Sequence, residues 1–280
     1  MRAVSLHPDV LVVTSALLHV NCVIVRRGAD AGEEGAAAEA ARPEGETFVI
    51  DSPVLPDELD ALPTLLEQAR FAAPSGLLAT HGDWDHLLAR LAFPGVALGC
   101  AQSTAERLRA APGEAQRELR AFDEELLIER PRPLALGSVQ ALPVPGRCEI
   151  GDGELELHDG RGHTSDGMAV FVPWAAVLVA GDYLSTVELP TLNDGGDVET
   201  YLATLQRLRP LLASAERVVP GHGPVLDRAR ALAVLDEDAD YLRGLREHGE
   251  KAQLPLGRRA PAHRRAHALN MAAASGKRPD

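Results

Sequence analysis

The sequence contains almost no lysine, few aromatic residues and no long uninterrupted apolar run. Its two lysines, Lys251 and Lys277, lie near the end of the chain, whereas arginine and alanine are plentiful, a bias typical of a high-GC bacterium. No stretch reaches the roughly 18 consecutive apolar residues that a membrane-spanning helix requires. Polar residues interrupt the apolar run at 10–20, and no small-residue cleavage site follows it. We therefore expect no signal peptide and a cytoplasmic protein.

Cysteine is also scarce, and acidic residues outnumber basic ones by 41 to 28. The three cysteines, Cys22, Cys100 and Cys148, lie in or beside strand-like stretches without a CxxC spacing, which argues against a disulfide framework. The formal net charge is −13, so the surface as a whole repels phosphate backbones. We expect a small-molecule substrate rather than nucleic acid or a membrane as partner, and a homodimer is left open.

Residues 1–250 are predicted to form one α/β domain. The chain has 280 residues, of which 45% are apolar, and this is enough for a sizeable core. Strand-like runs such as residues 21–26 and 76–80 alternate with helical periodicity, as at 57–71 and 199–212. No clear linker or internal repeat interrupts this order.

Two segments are expected to lie outside the packed core. The stretch near 28–46 is rich in Ala, Gly and Glu without an apolar period, and we predict a flexible acidic insertion there. Residues 251–280 hold seven Lys or Arg and one Asp. Such a composition predicts a basic, disordered tail.

The stretch THGDWDH, residues 80–86, places four potential metal ligands directly after an apolar strand. His81, Asp83, Asp85 and His86 supply imidazole and carboxylate groups, the side chains that bind divalent first-row metals. A polar turn with a helix cap at Asp83 or Asp85 would explain part of the same pattern. By itself, this loop is compatible with either half of a metal site or a capped turn.

Three further candidate ligands lie in glycine-bounded turns at the ends of predicted strands. They are His163 in GHT, Asp182 in AGDY and His222 in GHG. Flanking glycines let the backbone approach closely, which suits ligands packed around a metal better than ordinary core histidines. Together with the first motif, they predict a metal site built from seven side chains.

The four motifs, in this order, resemble those of the metallo-β-lactamase superfamily, whose pattern is HxHxDH, GHT, an Asp after a strand, and GHG. The resemblance covers residues 10–226. It implies a four-layer αββα sandwich, in which two mixed sheets pack face to face with helices outside and the metal site at one edge. It also implies a hydrolase in which a metal-activated water or hydroxide attacks an electrophilic carbonyl or phosphorus.

The resemblance implies a role for each of the seven residues. A first divalent ion would be bound by His81, Asp83 and His163, and a second by Asp85, His86 and His222, with Asp182 bridging the two. Zinc is the default metal. Asp85 and Asp182 are also assigned a catalytic role, because either carboxylate could pass a proton to the leaving group.

Asp83 stands where the superfamily usually has a second histidine. An added carboxylate makes zinc a poorer Lewis acid and favours harder ions such as manganese or iron. Alternatively, the first ion is weakly held and one site is filled. The flavodiiron branch of the superfamily carries a carboxylate at the same position. A non-haem diiron redox enzyme with a separate electron donor is therefore an alternative function, and a non-catalytic binding relative is a third.

The sequence around the later motifs most resembles that of glyoxalase II-like and lactonase-like hydrolases, which implies an ester, thioester or lactone substrate. Three neighbouring residues are weak candidates for substrate binding. Tyr183 could donate a hydrogen bond to a developing oxyanion, Trp84 could line the pocket, and Arg161 could attract a substrate carboxylate. For each of them, core packing or an ordinary surface position is the alternative.

Overall fold

A computed structural model describes residues 1–28 and 45–274 of the chain. Its contacts group into two compact units, Met1–Glu156 and Leu157–Asp280. The sequence predicts one domain over 1–250. It shows no linker at this division, which falls inside a strand. Most of the predicted acidic insertion near 28–46 lies outside the described residues.

The first unit is built on a sheet whose seven strands follow one another in chain order. They are β1 (Arg2–His7), β2 (Val10–Thr14), β3 (Asn21–Arg27), β4 (Glu46–Ile50), β5 (Gly76–Ala79), β6 (Leu98–Ala101) and β7 (Val139–Leu142). Neighbours are antiparallel from β1 to β4 and parallel from β4 to β7. The central strands are apolar and buried on both faces, as continuous Val, Ile and Leu runs predict.

The helices of the first unit pack on one face of this sheet. They are α1 (Pro56–Gln68), α2 (Ala89–Ala92), α3 (Gln102–Ala110) and α4 (Glu114–Leu126). Leu59, Leu62 and Leu66 recur at helical spacing along α1 and share one buried apolar cluster with alternate residues of β2 to β5. The sequence places α1 at 57–71, close to its observed bounds, whereas it gives no signal for α3.

Glu58 fastens the start of α1 to the loop after β2. Its buried carboxylate accepts hydrogen bonds from the Ser15 hydroxyl at 2.6 Å, from the Ala16 amide at 2.8 Å and from the Leu55 amide at 3.3 Å. Burial by itself would raise the pKa of Glu58, but these hydrogen bonds, together with the Met1 amino group 3.0 Å from Glu58 Oε1, outweigh it and hold the pKa below its ordinary value. The ionised form therefore stabilises the fold.

We expect Glu58→Gln to lower the free energy of unfolding at neutral pH by about 1–3 kcal/mol, because a buried charged acceptor is lost. Since the folded-state pKa is lowered, this stabilisation is present above the unfolded pKa of about 4.3 and is lost as the pH falls through the folded value. Denaturant unfolding at several pH values measures the effect. The exposed Glu67→Gln on α1 is the control, and equal curves for the two variants would contradict this role.

The second sheet has the order β13–β12–β11–β10–β9–β8. Its strands are β8 (Gly146–Ile150), β9 (Gly153–Asp159), β10 (Met168–Val172), β11 (Val177–Val179), β12 (Arg217–Val219) and β13 (Leu226–Asp227). The pair β11 and β12 is parallel, whereas β10–β11 and β12–β13 are antiparallel. Parallel pairing brings the carboxyl ends of β11 and β12 to one edge of this sheet.

Three helices complete the second unit, namely α5 (Val198–Ser214), α6 (Arg228–His248) and α7 (Pro261–Ala274). The first two begin at aspartate caps, since Asp197 accepts from the Thr200 amide and Asp227 from the Arg230 amide. Their apolar residues form one buried cluster with β10, β11 and β12. Within the described residues, no helix is both long and apolar enough to cross a membrane.

Helix α7 differs from the disordered tail that the sequence predicts for 251–280. The composition of this segment is basic and polar, but Arg258 and Asn270 are buried, with exposed fractions of 2% and 1%. Their partners lie far away along the chain, on α6 and in the loop after β11. Composition alone carries no signal for such contacts.

Candidate metal centre

The four ligand candidates of the first motif follow β5 and lie together in the first unit. The rings of His81 and His86 have centroids 4.2 Å apart. The Nε2 atom of His81 lies 3.6 Å from Asp83 Oδ2, and that of His86 lies 3.8 Å from Asp85 Oδ2. Trp84–His86 form one 3₁₀ turn, so the motif is compact.

Asp51, at the end of the parallel neighbour β4, organises both histidines of this group. It accepts hydrogen bonds from the Thr80 amide at 2.8 Å and from the Thr80 hydroxyl at 2.9 Å, and its Oδ2 atom lies 3.0 Å from His86 Nδ1. The carboxylate favours hydrogen on Nδ1 of His86, which leaves the lone pair on Nε2. Sequence reasoning missed Asp51, although its position at a strand end was a usable signal.

Thr80 sets the tautomer of His81 in the same way. The Thr80 hydroxyl lies 3.1 Å from His81 Nδ1. Because that hydroxyl gives its hydrogen to Asp51, it is left to accept from Nδ1–H of His81. Both imidazoles of the first motif are therefore set with Nε2 as the donor atom for a metal.

Arg107 on α3 was not predicted either, and it changes the charge balance of the motif. Its Nη1 atom lies 2.8 Å from Asp83 Oδ1, and both side chains are largely buried. The guanidinium offsets the negative charge of Asp83, and it occupies one of the two oxygens. The extra carboxylate therefore weakens Lewis acidity less than the sequence alone indicates.

In the second unit, the structure brings His163, Asp182 and His222 together at the ends of β9, β11 and β12. The Nε2 atoms of His163 and His222 lie 3.3 Å and 3.4 Å from the same oxygen, Asp182 Oδ2. The parallel pairing of β11 and β12 places Asp182 and His222 at one sheet edge.

The loop after Asp182 contacts both histidines and orients the ring of His163. His163 Nδ1 lies 3.0 Å from the Thr191 carbonyl and 2.9 Å from its hydroxyl. Since a carbonyl can only accept, the first contact requires hydrogen on Nδ1 and leaves Nε2 as the metal donor. Glu188, which sequence reasoning missed, lies 3.7 Å from His222 Nδ1 and near Asp182.

Two of the flanking glycines are required by close packing, as the sequence predicts. A Cβ atom on Gly221 would overlap the Asp182 carboxylate, and one on Gly162 would overlap the Tyr201 backbone. Gly162 also has a φ of 132°, which residues with a side chain rarely adopt.

The separations between donor atoms fit shared metal ions. Two ligands bound to one tetrahedral zinc at about 2.1 Å lie roughly 3.4 Å apart. The four imidazole-to-carboxylate distances run from 3.3 to 3.8 Å, near this value and mostly beyond ordinary hydrogen bonds. The donor types and spacings within each unit therefore suit divalent cations.

A family model described as the metallo-beta-lactamase superfamily matches residues 41–222. This match covers more than half of the chain and all four motifs. The chain belongs to the metallo-beta-lactamase superfamily. Membership supports an enzyme of the metallohydrolase type, and the predicted α/β fold of this superfamily is confirmed.

Individual relatives in the superfamily are distant. Metallo-beta-lactamase type 2 from Bacillus sp. (strain 170) is 28% identical over 104 residues, 36% of this chain and 39% of the relative. The chain therefore spans less than half the length of that curated relative. The family protein TTHA1429 from Thermus thermophilus is similar in structure, with a TM-score of 0.62 at 20% identity, over 86% of this chain and 83% of the other. TTHA1623 in a di-iron-bound form has a TM-score of 0.56 at 22% identity, over 80% and 97%.

The three weak candidates for substrate binding in this superfamily member have structural partners. The Tyr183 hydroxyl donates to the Gly160 carbonyl at 2.9 Å and accepts from the His163 amide at 3.0 Å. Burial raises the pKa of Tyr183. Because the Tyr183 hydroxyl already donates its hydrogen to Gly160, it is not available to an oxyanion. These contacts favour a structural role, in which Tyr183 supports the backbone of His163.

Trp84 and Arg161 also make ordinary structural contacts. The Trp84 ring packs against Phe122 with centroids 4.5 Å apart and adjoins the apolar cluster of the first unit. Arg161 is half exposed and pairs with Asp159, with contacts of 2.9 and 3.1 Å. Neither contact requires a substrate.

Proposed function

We propose that this protein is a metal-dependent hydrolase that cleaves an ester, thioester or lactone bond of a small molecule. The observation that carries the proposal is the set of imidazole and carboxylate atoms at separations of 3.3 to 3.8 Å. Three of the four imidazoles, those of His81, His86 and His163, also have an outer partner within 3.1 Å of Nδ1 that leaves Nε2 for a cation.

The ligand assignment follows the superfamily pattern. By that pattern, His81, Asp83 and His163 would hold one ion and Asp85, His86 and His222 a second, with Asp182 as a further ligand. A bound divalent cation supplies a water of lowered pKa, about 7 for zinc, and polarises the substrate oxygen under attack. The protein itself contributes to catalysis by orienting the imidazoles and by holding the carboxylates beside them.

Asp85 is the residue to which we assign proton transfer to the leaving group. It lies in the 3₁₀ turn, and the backbone carbonyl of Asp85 accepts a hydrogen bond from Ser52 at 3.0 Å, which fixes its position. Its Oδ2 atom lies beside His86 Nε2. A carboxylate at such a place can bind a metal in one stage and carry a proton in another.

Zinc remains the default metal, with manganese and iron as alternatives. Asp83 adds an oxygen donor that suits harder ions, while Arg107 offsets its charge. A structural neighbour was solved in a di-iron-bound form. A second candidate function is a non-haem diiron redox enzyme that takes electrons from a separate donor, because the oxygen donor at Asp83 suits iron.

We expect Asp85→Asn to lower kcat by at least about 100-fold, the lower end of the usual contribution of general acid–base catalysis, when the variant is reloaded to the metal content of the wild type, because Asp85 is also a proposed ligand. The assay is a screen over thioesters, lactones, β-lactams and phosphodiesters, coupled to elemental analysis. Exposed Asp60→Asn on α1 is the matched control.

The same screen separates the candidate functions. Turnover of an acyl substrate with zinc or manganese bound supports the hydrolase, whereas iron with oxygen consumption and no hydrolysis supports the redox enzyme. Unchanged turnover in Asp85→Asn would refute the assignment of Asp85.

A further inference from the structure

The loop at residues 185–192, here called the bracing loop, contacts both histidines of the second group. Thr191 contacts His163 Nδ1 through its carbonyl and hydroxyl oxygens, and the Ser185 hydroxyl donates to the His222 carbonyl at 2.9 Å. Glu188 lies beside His222 Nδ1. The ring orientation of His163 and the backbone position of His222 therefore depend on where this loop is held.

The bracing loop is held from its other side by the C-terminal segment, residues 252–274. Arg258 Nη1 donates to the carbonyls of Ser185 at 3.0 Å and Glu188 at 2.9 Å. His263 Nε2 donates to the Val187 carbonyl at 2.8 Å.

Asn270 secures the end of the same loop. It accepts from the Leu192 amide at 3.0 Å and donates to the Pro190 carbonyl at 2.6 Å, so it brackets Thr191 on both sides. The residue that bonds His163 Nδ1 is thus fixed by an asparagine that is 1% exposed.

These polar residues are themselves anchored on α6. Arg258 pairs with Asp238 at 2.6 Å and with Glu237 at 3.3 Å, and Asn270 donates to the Tyr241 hydroxyl at 3.0 Å. Burying a guanidinium and an amide is costly unless their partners are in place. Apolar side chains would suffice to pack a terminal helix, so the polar set serves to fix the backbone of the bracing loop.

We propose that Asn270 and Arg258 are positioning residues for the metal centre, through which the C-terminal segment sets the tautomer and orientation of His163 and the placement of His222. The proposal rests on the proposed metal-binding function. Asn270 holds Thr191, Thr191 holds hydrogen on Nδ1 of His163, and Nε2 is left to bind the cation. Loss of Asn270 releases the segment around Thr191, so the Thr191 carbonyl is no longer held beside His163 Nδ1. The His163 imidazole then populates both tautomers and both ring orientations.

The test uses the full-length protein and the variant Asn270→Ala, with exposed Arg265→Ala on the same helix as control. In metal-free protein, ¹⁵N NMR of the histidine side chains is expected to show the Nδ1–H tautomer for His163 in the wild type and in Arg265→Ala. We expect a mixture of tautomers in Asn270→Ala. Competition with a chromophoric chelator is expected to show zinc bound about 10 to 100-fold more weakly, the range for loss of outer-sphere support.

A second variant covers the case in which Asn270→Ala does not fold. His263→Ala removes one hydrogen bond to the bracing loop from a partly exposed position, and a loss of zinc affinity of several-fold is expected. An unchanged His163 tautomer together with unchanged zinc affinity in the folded variants would overturn the proposal. A wild type that binds no metal would refute the proposed function, while the tautomer comparison would still decide the role of Asn270.

Discussion

Asp182→Ala is expected to reduce bound metal by at least one ion per chain and to lower activity by more than about 100-fold, beyond the range for an outer-sphere partner. One oxygen of Asp182 lies 3.3 and 3.4 Å from the Nε2 atoms of His163 and His222. Its removal takes away the one carboxylate oxygen that both imidazoles share.

The measurement for Asp182→Ala combines elemental analysis with kinetics at saturating metal. Asp182→Asn retains the shape but not the charge, and we expect an intermediate loss. Exposed Asp240→Asn on α6 is the control and should match the wild type. Metal content and turnover equal to the wild type in Asp182→Ala would show that Asp182 is not a ligand.

Substitution of Asp51 is expected to have the second largest effect, and it separates stability from metal binding. Asp51→Ala removes the acceptor for the Thr80 amide and hydroxyl. It also removes the negative charge beside His86 Nδ1, and all three residues are buried. We expect the free energy of unfolding to fall by about 3–5 kcal/mol, as for a buried charged partner. The φ of 59° at this position adds strain for alanine.

Asp51→Asn is the sharper variant, because asparagine tolerates the left-handed backbone and keeps one oxygen for Thr80. It loses the charge that favours hydrogen on His86 Nδ1. We expect metal affinity to fall by about 10 to 100-fold with a smaller loss of stability. Thermal unfolding and chelator competition measure the two effects, with Asp60→Asn as control. A loss of stability without a change in metal affinity would leave Asp51 a purely structural residue.

The sequence predicts the ligand candidates better than their surroundings. The seven motif residues lie at strand ends in recognisable patterns, so their identities can be read from local sequence. Asp51 becomes significant only through the parallel pairing of β4 with β5, which brings Thr80 beside it. Arg107 lies on a short polar helix without a strong apolar period, and its contact with Asp83 depends on where that helix packs.

The C-terminal segment shows the same limit more clearly. Its arginines and alanines predict disorder by composition, yet Arg258 and Asn270 are buried by contacts with residues about 70 to 80 positions earlier, as in the hydrogen bonds to Ser185 and Pro190. Only tertiary structure distinguishes Arg258 from the exposed Arg265.

The most direct test of the metal centre is the amount of first-row metal retained per chain by wild-type protein that has been purified without chelator and dialysed. Mass spectrometry of the digested sample gives this ratio. We predict more than one ion per chain, zinc by default, and at least one ion fewer in Asp182→Ala. Wild-type protein that retains no zinc, manganese or iron, even after reloading, would contradict the account.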